Sequence, residues 1–401
     1  MDSRPETLPS AAGGRWGALG DRASVQDGCP FAAEYRKWTR PAILSHRTRP
    51  VKLPTALDLF AGAGGATQGL RNAGYRVVGA VENDAAAAGS YRLNHPDVDL
   101  RCIDIREIDP ARFRSDLKLQ RGMLTLLKAC PPCQGFSTLG AHDRDDERND
   151  LVREVWRFVR EFLPAAVIVE NVRGIGRDPR FALMTRQMRG IGYRIRQYTI
   201  DAADFGVPQH RERLIVIAVR VGGSLPVDIS EALPPDFSVA RMSAGEALES
   251  IADLTEATDA LHRGRRLAPL TEERIRAIPV GGGRFNLPAG LQLACHSSVG
   301  RSAASPYGRV RLEDPAPTMT TRCTTPACGR FIHPTEHRGL TLREAAVFQT
   351  FPVTYTFTGN YGQIERQIGN AVPVRLAEAL GLVVTRTLAK AIAGPRARAS
   401  S

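Results

Sequence analysis

The sequence is poor in lysine and has no long apolar runs. Its 401 residues include five lysines, so 49 of the 54 basic residues are arginine, and the formal net charge is +12. No apolar run approaches the roughly 20 residues that a membrane helix requires. The first residues also lack the basic start and apolar stretch of a secretory signal. These absences predict a soluble, cytoplasmic protein that does not enter a membrane.

The arginine excess has two interpretations. Arginine side chains bind phosphates and guanine edges, which favours a nucleic-acid partner. A genome rich in G·C codons also raises the arginine content, whatever the function of the protein. Basic charge therefore supports nucleic-acid binding without establishing it.

The cysteines do not form a recognisable framework. There are seven of them, and an odd number in an intracellular chain argues against disulfides. Structural zinc requires two well-spaced pairs near one another. Cys130 and Cys133 form one CxxC pair, but Cys323 and Cys328 are distant and irregularly spaced. We therefore expect no metal site.

Short apolar runs alternate with stretches of helical periodicity. Each run is interpreted as a buried strand, and the alternation predicts an α/β fold with a parallel, doubly wound sheet. The predicted strands are Ala56–Phe60, Val77–Val81, Met123–Leu127, Ala166–Val169 and Leu214–Val219. Helices are predicted at Thr67–Asn72 and Leu151–Phe162, and a last helix runs from about Pro373 to Ile392.

Changes in composition divide the chain into four parts. Residues 1–50 show no clear periodicity and are interpreted as a partly disordered N-terminal arm, followed by the strands and helices of 51–222. An acidic stretch and then nine arginines within 262–311 predict a separate, irregular domain at 223–336. Helical periodicity then returns, so we expect 337–401 to rejoin the sheet domain and end in a helix and tail.

Four motifs directly follow predicted strands. In doubly wound sheets, ligands bind beyond the carboxyl ends of the strands. The motifs are the glycine-rich turn Gly62–Gly65, then Glu82–Asp84, Pro131–Cys133 and Glu170–Asn171. Their convergence at one edge of the sheet predicts a ligand site there.

The glycine-rich turn allows a ligand to approach the backbone closely. The segment Asp58–Gly65 does not have the GxGxxG spacing of dinucleotide-binding proteins, and no Gly-Lys-Ser/Thr follows it as in a phosphate loop. An acid at the end of the second strand suits ribose hydroxyls, and Glu82 stands there. A tight turn beside a solvated acid is the alternative interpretation.

Cys133 and Glu170 are candidate catalytic groups. Prolines stiffen the approach to Cys133, and a loop thiol near cations such as Arg211 and Arg213 is a candidate nucleophile. Cys130 directly follows a strand and is expected to pack inward. Glu170 ends an apolar strand, so partial burial is expected to raise its pKa and let it share a proton with a substrate. An ordinary loop cysteine and a salt-bridged or capping acid are the alternatives.

Seven motifs occur in a fixed order between about residue 54 and residue 385. They are DLFAGAGG (58–65), END (82–84), PPCQGFS (131–137), ENV (170–172), QHRER (209–213), REAAVFQTFP (343–352) and QIGNAVP (367–373). This series resembles the DNA cytosine-5 methyltransferase family. The combination of PPCQGFS, ENV and QIGNAVP is highly specific for it.

The resemblance implies a Rossmann-like sheet that binds S-adenosylmethionine. Residues 51–222 and 337–401 would form the catalytic domain, and 223–336 the target-recognition domain. Phe60 would pack on the adenine, and Asp104 would lie at its amino group. The implied cofactor residues are Asp58, Phe60, Gly62, Gly64, Gly65, Glu82, Asn83, Asp104, Pro131, Asn370 and Val372.

The resemblance also implies covalent catalysis on a cytosine flipped out of double-stranded DNA. Cys133 would be the nucleophile and Glu170 would bond the cytosine edge, while Arg211 and Arg213 would orient the loop and contact the base oxygen. The implied DNA-binding residues are Gln134, Ser137, Gln209 and Arg284. We expect a monomer of bacterial restriction–modification or orphan type, and in the first case a companion restriction endonuclease is its expected partner.

Three other functions remain open from the sequence. One branch of the family acts on RNA, although a recognition region of over a hundred residues favours duplex DNA. A non-catalytic, DNA-binding relative usually lacks the nucleophile or the acid, and both Cys133 and Glu170 are present. A thiol oxidoreductase that used Cys130 and Cys133 would leave the other motifs unexplained. The chain departs from the family at Ala129–Cys130, where glycines usually precede the two prolines.

Overall fold

The central element is a mixed β-sheet. The computed structural model describes residues 53–132, 150–220, 225–294 and 305–393. Within those ranges the strands are β1 Thr55–Leu59, β2 Arg76–Glu82, β3 Asp99–Cys102, β4 Leu126–Ala129, β5 Ala166–Asn171, β6 Arg194–Asp201 and β7 Glu212–Val219. Their spatial order is β3-β2-β1-β4-β5-β7-β6. The expected N-terminal arm, 1–50, lies outside the described residues.

Helices follow most of the strands. They are α1 Gly65–Asn72, α2 Ala85–Asn94, α3 Pro110–Asp116, α4 Leu151–Phe162, α5 Pro179–Gly190, α6 Ala244–Glu249, α7 Pro269–Arg276, α8 Leu342–Phe348, α9 Tyr361–Asn370 and α10 Val374–Ala393. Side chains satisfy the free amides at several helix starts. Asp84 accepts hydrogen bonds from the first amides of α2, and Thr341 and Glu344 form a capping box on α8.

The predicted α/β class is confirmed, but the expectation of an all-parallel sheet is wrong for one strand. Strands β1 to β5 pair in parallel, whereas β7 is antiparallel to both β5 and β6. The connection from β6 to β7 is too short for a crossover helix, so the chain turns back at the same edge. The start of β7 therefore lies at the edge where β1, β4 and β5 end.

Alternate residues of the strands supply the two sides of the core. Leu126 of β4 packs in the cluster that contains Leu70 and Leu376 of α1 and α10, whereas Leu127 packs in the cluster of Phe158 on α4. Each such side chain contributes about 1.5–3 kcal/mol when it is fully buried. Both faces of the sheet are therefore covered, which leaves the carboxyl ends of the strands as the place for a ligand.

Helix α10 lies unusually close to α1. A methyl group at Gly69 would come within 2.2 Å of the carbonyl oxygen of Val374, so glycine is required there. The segment Tyr361–Lys390 has the length and apolar composition of a membrane span, with a mean hydropathy of 1.3 over its most apolar 18 residues, but 67% of that stretch is buried inside the fold. Such burial is also found in the core helices of soluble proteins.

The segment predicted as a recognition domain contains α6, α7 and isolated helical turns. A small core of its own forms around Ile275, Leu287 and Tyr307. Arg309 is 1% exposed and its guanidinium donates to the main-chain carbonyls of Ile275, Ile278, His333 and Glu336. This arginine therefore holds the segment together, although the sequence counts it among the basic residues available for DNA.

Candidate functional site

The glycine-rich turn after β1 has a left-handed backbone. Phe60, Gly62 and Gly64 have φ values of 58°, 57° and 97°. A methyl group at Gly64 would come within 2.8 Å of a ring carbon of His95, whereas one at Gly62 would meet nothing within 4 Å. The turn is thus closely packed on one side and leaves space beside Gly62, as a ligand that approaches the backbone requires.

Tyr355 and His95 form a chain of hydrogen bonds that ends on the backbone of this turn. The Tyr355 hydroxyl donates to the carbonyl oxygen of Ala63 at 2.6 Å, so it accepts from Nε2 of His95 at 3.0 Å. Burial and the positive charge of Arg71 lower the pKa of His95 to about 4. A neutral imidazole therefore supports the turn over the physiological range of pH.

Glu82 at the end of β2 closes the turn from the side. Its Oε2 accepts the Gly62 amide and its Oε1 accepts the Asp84 amide, each at 2.8 Å. Burial raises the pKa of Glu82, even though these hydrogen bonds oppose the shift. Each oxygen keeps a further lone pair, so the carboxylate suits the paired hydroxyls of a ribose. The carboxylate acceptors of Glu82 and the space beside Gly62 thus fit S-adenosylmethionine.

The other expected cofactor residues lie in different surroundings. Asn83 and Asn370 are exposed, and Phe60 is half-buried at the end of β1. A hydrogen bond from Arg106 lowers the pKa of Asp104, and their salt bridge is 2.7 Å long. Val372 is buried, and its carbonyl oxygen lies 2.8 Å from where a methyl group at Gly65 would stand. The turn therefore packs directly on the QIGNAVP motif.

Asp58 has the opposite placement from Glu82. It is fully buried, where its Oδ1 lies 3.0 Å from Nζ of Lys128. Its Oδ2 accepts the Thr67 hydroxyl at 2.8 Å, and that hydroxyl also lies 2.8 Å from the Tyr91 hydroxyl. The carboxylate thus lies inside the fold behind the turn, which does not fit direct contact with a cofactor.

Glu170 is the acid at the centre of the edge formed by β4, β5 and β7. Its side chain is 3% exposed, and Oε1 lies 3.0 Å from Nε of Arg213. Oε2 accepts a hydrogen bond from Sγ of Cys130 at 2.8 Å. Cys130 packs against the core on the side of α1 and α10, as the sequence predicts, and its thiol also contacts the candidate catalytic acid, which the sequence does not predict.

The expectation of a raised pKa for Glu170 is wrong. Burial by itself raises that pKa, but the positive charges of Arg213 and Arg211 lower it, as do the hydrogen bond from Cys130 and the charge of Lys128. The net effect holds the pKa of Glu170 below its ordinary value. Without a bound substrate this acid is therefore ionised, because four neighbouring groups stabilise its negative charge.

Arg211 joins separate segments of the chain. It is 4% exposed and donates to the carbonyl oxygens of Met319 at 3.0 Å and Ala371 at 3.1 Å. Its own amide donates to Asp201 at 2.8 Å. Its charge reaches Glu170, while its contacts hold the QIGNAVP motif against the start of β7. Arg213 is the arginine that contacts the acid directly.

Cys133, Gln134 and Ser137 lie outside the described residues. The chain that leads to them is anchored, because Nδ2 of Asn171 donates to the carbonyl oxygen of buried Pro131 at 2.9 Å. Asn171 was not among the predicted site residues. Its position directly after Glu170 in the ENV motif was the signal that could have identified it.

Gln209 and Arg284, expected to bind DNA, are both buried. Gln209 is 0% exposed, and its amide group donates to Phe348 and Gln349, each at 3.0 Å. Arg284 is 6% exposed, with its guanidinium 4.5 Å from the ring centroid of Phe285. Direct DNA contact does not fit this burial, because neither side chain reaches the surface.

Residues 55–386 match the family described as C-5 cytosine-specific DNA methylase. The type II methylase M.HgiDII of Herpetosiphon aurantiacus is 31% identical over 350 residues, which cover 84% of this chain and 96% of that protein. The type II methyltransferase M.PspPI of Psychrobacter sp. (strain TA137) is 33% identical, over 84% of this chain and 80% of that one. A solved structure described as a DNA modification methyltransferase encoded within a prophage (E. coli) has a TM-score of 0.60 and 25% identity, and the similarity covers 84% of this chain and 99% of that one.

Proposed function

Because this chain belongs to the C-5 cytosine-specific DNA methylase family and is a DNA cytosine-5 methyltransferase, we propose that it methylates carbon 5 of a cytosine flipped out of duplex DNA. The observation that carries this proposal is the arrangement at Glu170, an ionised and buried acid held by Arg213 at the sheet edge beside the Pro-Pro-Cys approach. We place the enzyme in a type II restriction–modification system, as a cytoplasmic monomer with a companion endonuclease.

The cofactor of the proposed reaction is S-adenosylmethionine, which supplies an electrophilic methyl group. Glu82 would accept hydrogen bonds from its ribose hydroxyls, and half-buried Phe60 would pack on its adenine. The glycines at 62, 64 and 65 would let its methionine part lie against the backbone. Asn370 and Val372 would close the pocket from the other end of the chain. We assign Asp58 a structural role behind the glycine-rich turn, without contact with the cofactor.

Cys133 is the proposed nucleophile. Its thiolate adds to carbon 6 of cytosine, which makes carbon 5 electron-rich enough to take the methyl group. As the base binds, a proton from solvent is shared between Glu170 and ring nitrogen 3, and the other carboxyl oxygen accepts a hydrogen bond from the amino group of the base. The shared proton stabilises the negative charge that develops on the ring. A base then removes the proton from carbon 5, and the thiolate leaves as the ring double bond re-forms.

DNA binding is assigned to 223–336 and to the PPCQGFS motif, which contains Gln134 and Ser137. Flipping the base costs a few kcal/mol of stacking and pairing, which contacts to the rest of the DNA must offset. Within 262–311, the exposed arginines are better candidates for those contacts than buried Arg284. The exposed arginines of this stretch, among the described residues, are Arg263, Arg266, Arg276 and Arg311.

The proposed activity is tested by chemical analysis of the product. The protein is incubated with methyl-labelled S-adenosylmethionine and either duplex DNA or structured RNA. The nucleic acid is then digested to nucleosides, which are separated by chromatography and identified by mass spectrometry. We expect labelled 5-methyldeoxycytidine from the DNA, and none from the Cys133→Ser variant. Label on the 4-amino group, or label confined to RNA, would contradict the proposal.

A further inference from the structure

Cys130 stands where sequence reasoning expected only packing. It directly follows β4, is partly buried and lies next to the first proline of the Pro-Pro-Cys motif. Its Sγ is 2.8 Å from Oε2 of Glu170. The thiol is therefore a hydrogen-bond donor to the candidate catalytic acid.

The carboxylate of Glu170 is held from two sides. Arg213, near the start of β7, lies at Oε1, and Cys130, after the end of β4, donates to Oε2. The Arg213 contact is an ion pair without hydrogen-bond geometry, since Oε1 has no hydrogen-bond partner in the described part of the chain. The hydrogen bond from Cys130 to Oε2 is therefore the directional contact that restrains rotation of the carboxylate. Each oxygen has two lone pairs, so the thiol leaves one lone pair of Oε2 to accept a hydrogen bond from the cytosine.

We propose that Cys130 is a positioning residue, whose thiol fixes the orientation in which Glu170 meets the cytosine edge. The proposal rests on the proposed function, because the orientation of Glu170 matters for catalysis only if this acid binds cytosine. The contact between Cys130 and Glu170 is observed whatever the function is. An ionised acid that is already correctly oriented loses little free energy when the base arrives. Removal of the thiol would therefore slow catalysis without weakening DNA or cofactor binding.

The same contact predicts a change in the titration of Glu170. Positive charges face this carboxylate from Lys128 on β4 and from Arg211 and Arg213 at β7. On the side of α1 and α10 it borders a small cavity whose other lining residues, apart from Lys128, are apolar: Leu70, Ile168, Val372, Ala377 and Leu380. The thiol hydrogen bond adds to the effect of these charges, so its loss raises the pKa of Glu170.

The test compares Cys130→Ala, which removes the donor, with Cys130→Ser, which keeps one. Cys328→Ala is the matched control, because Cys328 is also partly buried but lies in a separate helical turn, Pro326–Cys328. Carbon-13 NMR of labelled glutamate carboxyls, assigned with Glu170→Gln, follows the titration of Glu170 without any need for activity. Methylation of duplex DNA is measured across pH on the same proteins.

We expect Glu170 to titrate at higher pH in Cys130→Ala than in the wild type, the serine variant or the control. We also expect kcat to fall about tenfold in Cys130→Ala, with KM for DNA within twofold and most of kcat retained by serine. An unchanged Glu170 titration, or a serine variant as impaired as alanine, would overturn the positioning role. A wild-type protein without methylation but with the titration shift in Cys130→Ala would instead contradict the proposed function alone.

Discussion

Lys128 and Asp58 form an ion pair behind the active site, with 3.0 Å between Nζ and Oδ1 and side chains 5% and 0% exposed. Asp58 lies near the end of β1, just before the cofactor turn, and Lys128 lies near the end of β4, just before the Pro-Pro-Cys motif. Lys128 also faces Glu170. One buried pair thus joins the two strands that carry the cofactor side and the catalytic side.

Asp58→Asn is expected to destabilise the protein by about 3–5 kcal/mol, because it removes the carboxylate that pairs with the buried Lys128 ammonium. The double variant Asp58→Asn, Lys128→Met should recover most of this loss, since it removes the unpaired charge. Urea unfolding of the three proteins measures the effect. A loss below about 1 kcal/mol for Asp58→Asn would show that the pair does not hold this region.

Glu82→Gln is expected to weaken binding of S-adenosylmethionine by about 1–3 kcal/mol. The glutamine side chain has a single acceptor oxygen. Its NH2 group would therefore face one of the two backbone N–H groups that now donate hydrogen bonds to Glu82. Calorimetry measures the affinity. Glu107→Gln, an exposed site in the neighbouring turn Ile105–Glu107, is the control. Equal affinity in both variants would remove Glu82 from the site.

His95 is expected to make the protein less stable in acid. Its pKa is about 4 in the folded chain and about 6.5 when unfolded. Between these values the unfolded state binds a proton that the folded state does not, so stability falls as pH decreases from about 6.5 to 4. The full effect is about 3 kcal/mol.

His95→Gln tests this titration, because glutamine keeps a donor for Tyr355 and has no charge to gain. Free energies of unfolding at pH 7.5 and pH 4.5 are compared for both proteins. The variant should lose about 2–3 kcal/mol less than the wild type over that interval. Parallel losses in the two proteins would show that His95 does not carry the acid sensitivity.

Arg266→Ala and Arg276→Ala are each expected to weaken DNA binding to all sequences alike. If each arginine neutralises one phosphate, the slope of log affinity against log salt falls by about one for each residue removed. Arg160→Ala, an exposed arginine on α4 outside the recognition segment, is the control. Wild-type affinity and slope in both recognition-segment variants would place the DNA-binding surface elsewhere.

The sequence predicts most buried strands well and the half-exposed ones poorly. The strand predicted at Met123–Leu127 begins three residues too early, because β4 is Leu126–Ala129 and Met123 is exposed. Runs such as Ala166–Val169 stand out because both of their faces are covered. The sequence does not predict β3 and β6, because Asp99–Cys102 and Arg194–Asp201 are largely polar. These two are the outermost strands of the sheet. The reversed direction of β7 has no sequence signal either, because side-chain periodicity does not depend on strand direction.

The family resemblance and the α/β fold are confirmed, but local environments were harder to predict than motifs. Glu170 was expected to have a raised pKa, because an apolar strand suggests burial alone. The cations that reverse this effect come from β4 and β7, which the sequence does not place next to it. Likewise, Gln209 and Arg309 look like surface residues, and only the fold reveals the carbonyl oxygens that they bind.

The central claim is that Cys133 attacks carbon 6 of a flipped cytosine. A duplex with 5-fluorocytosine at the methylated position blocks removal of the group on carbon 5 and should trap the adduct in the presence of S-adenosylmethionine. Mass spectrometry of the digested complex should map the bond to Cys133, and Cys130→Ala should still trap. An adduct on Cys130, or undiminished methylation by Cys133→Ser, would contradict the account.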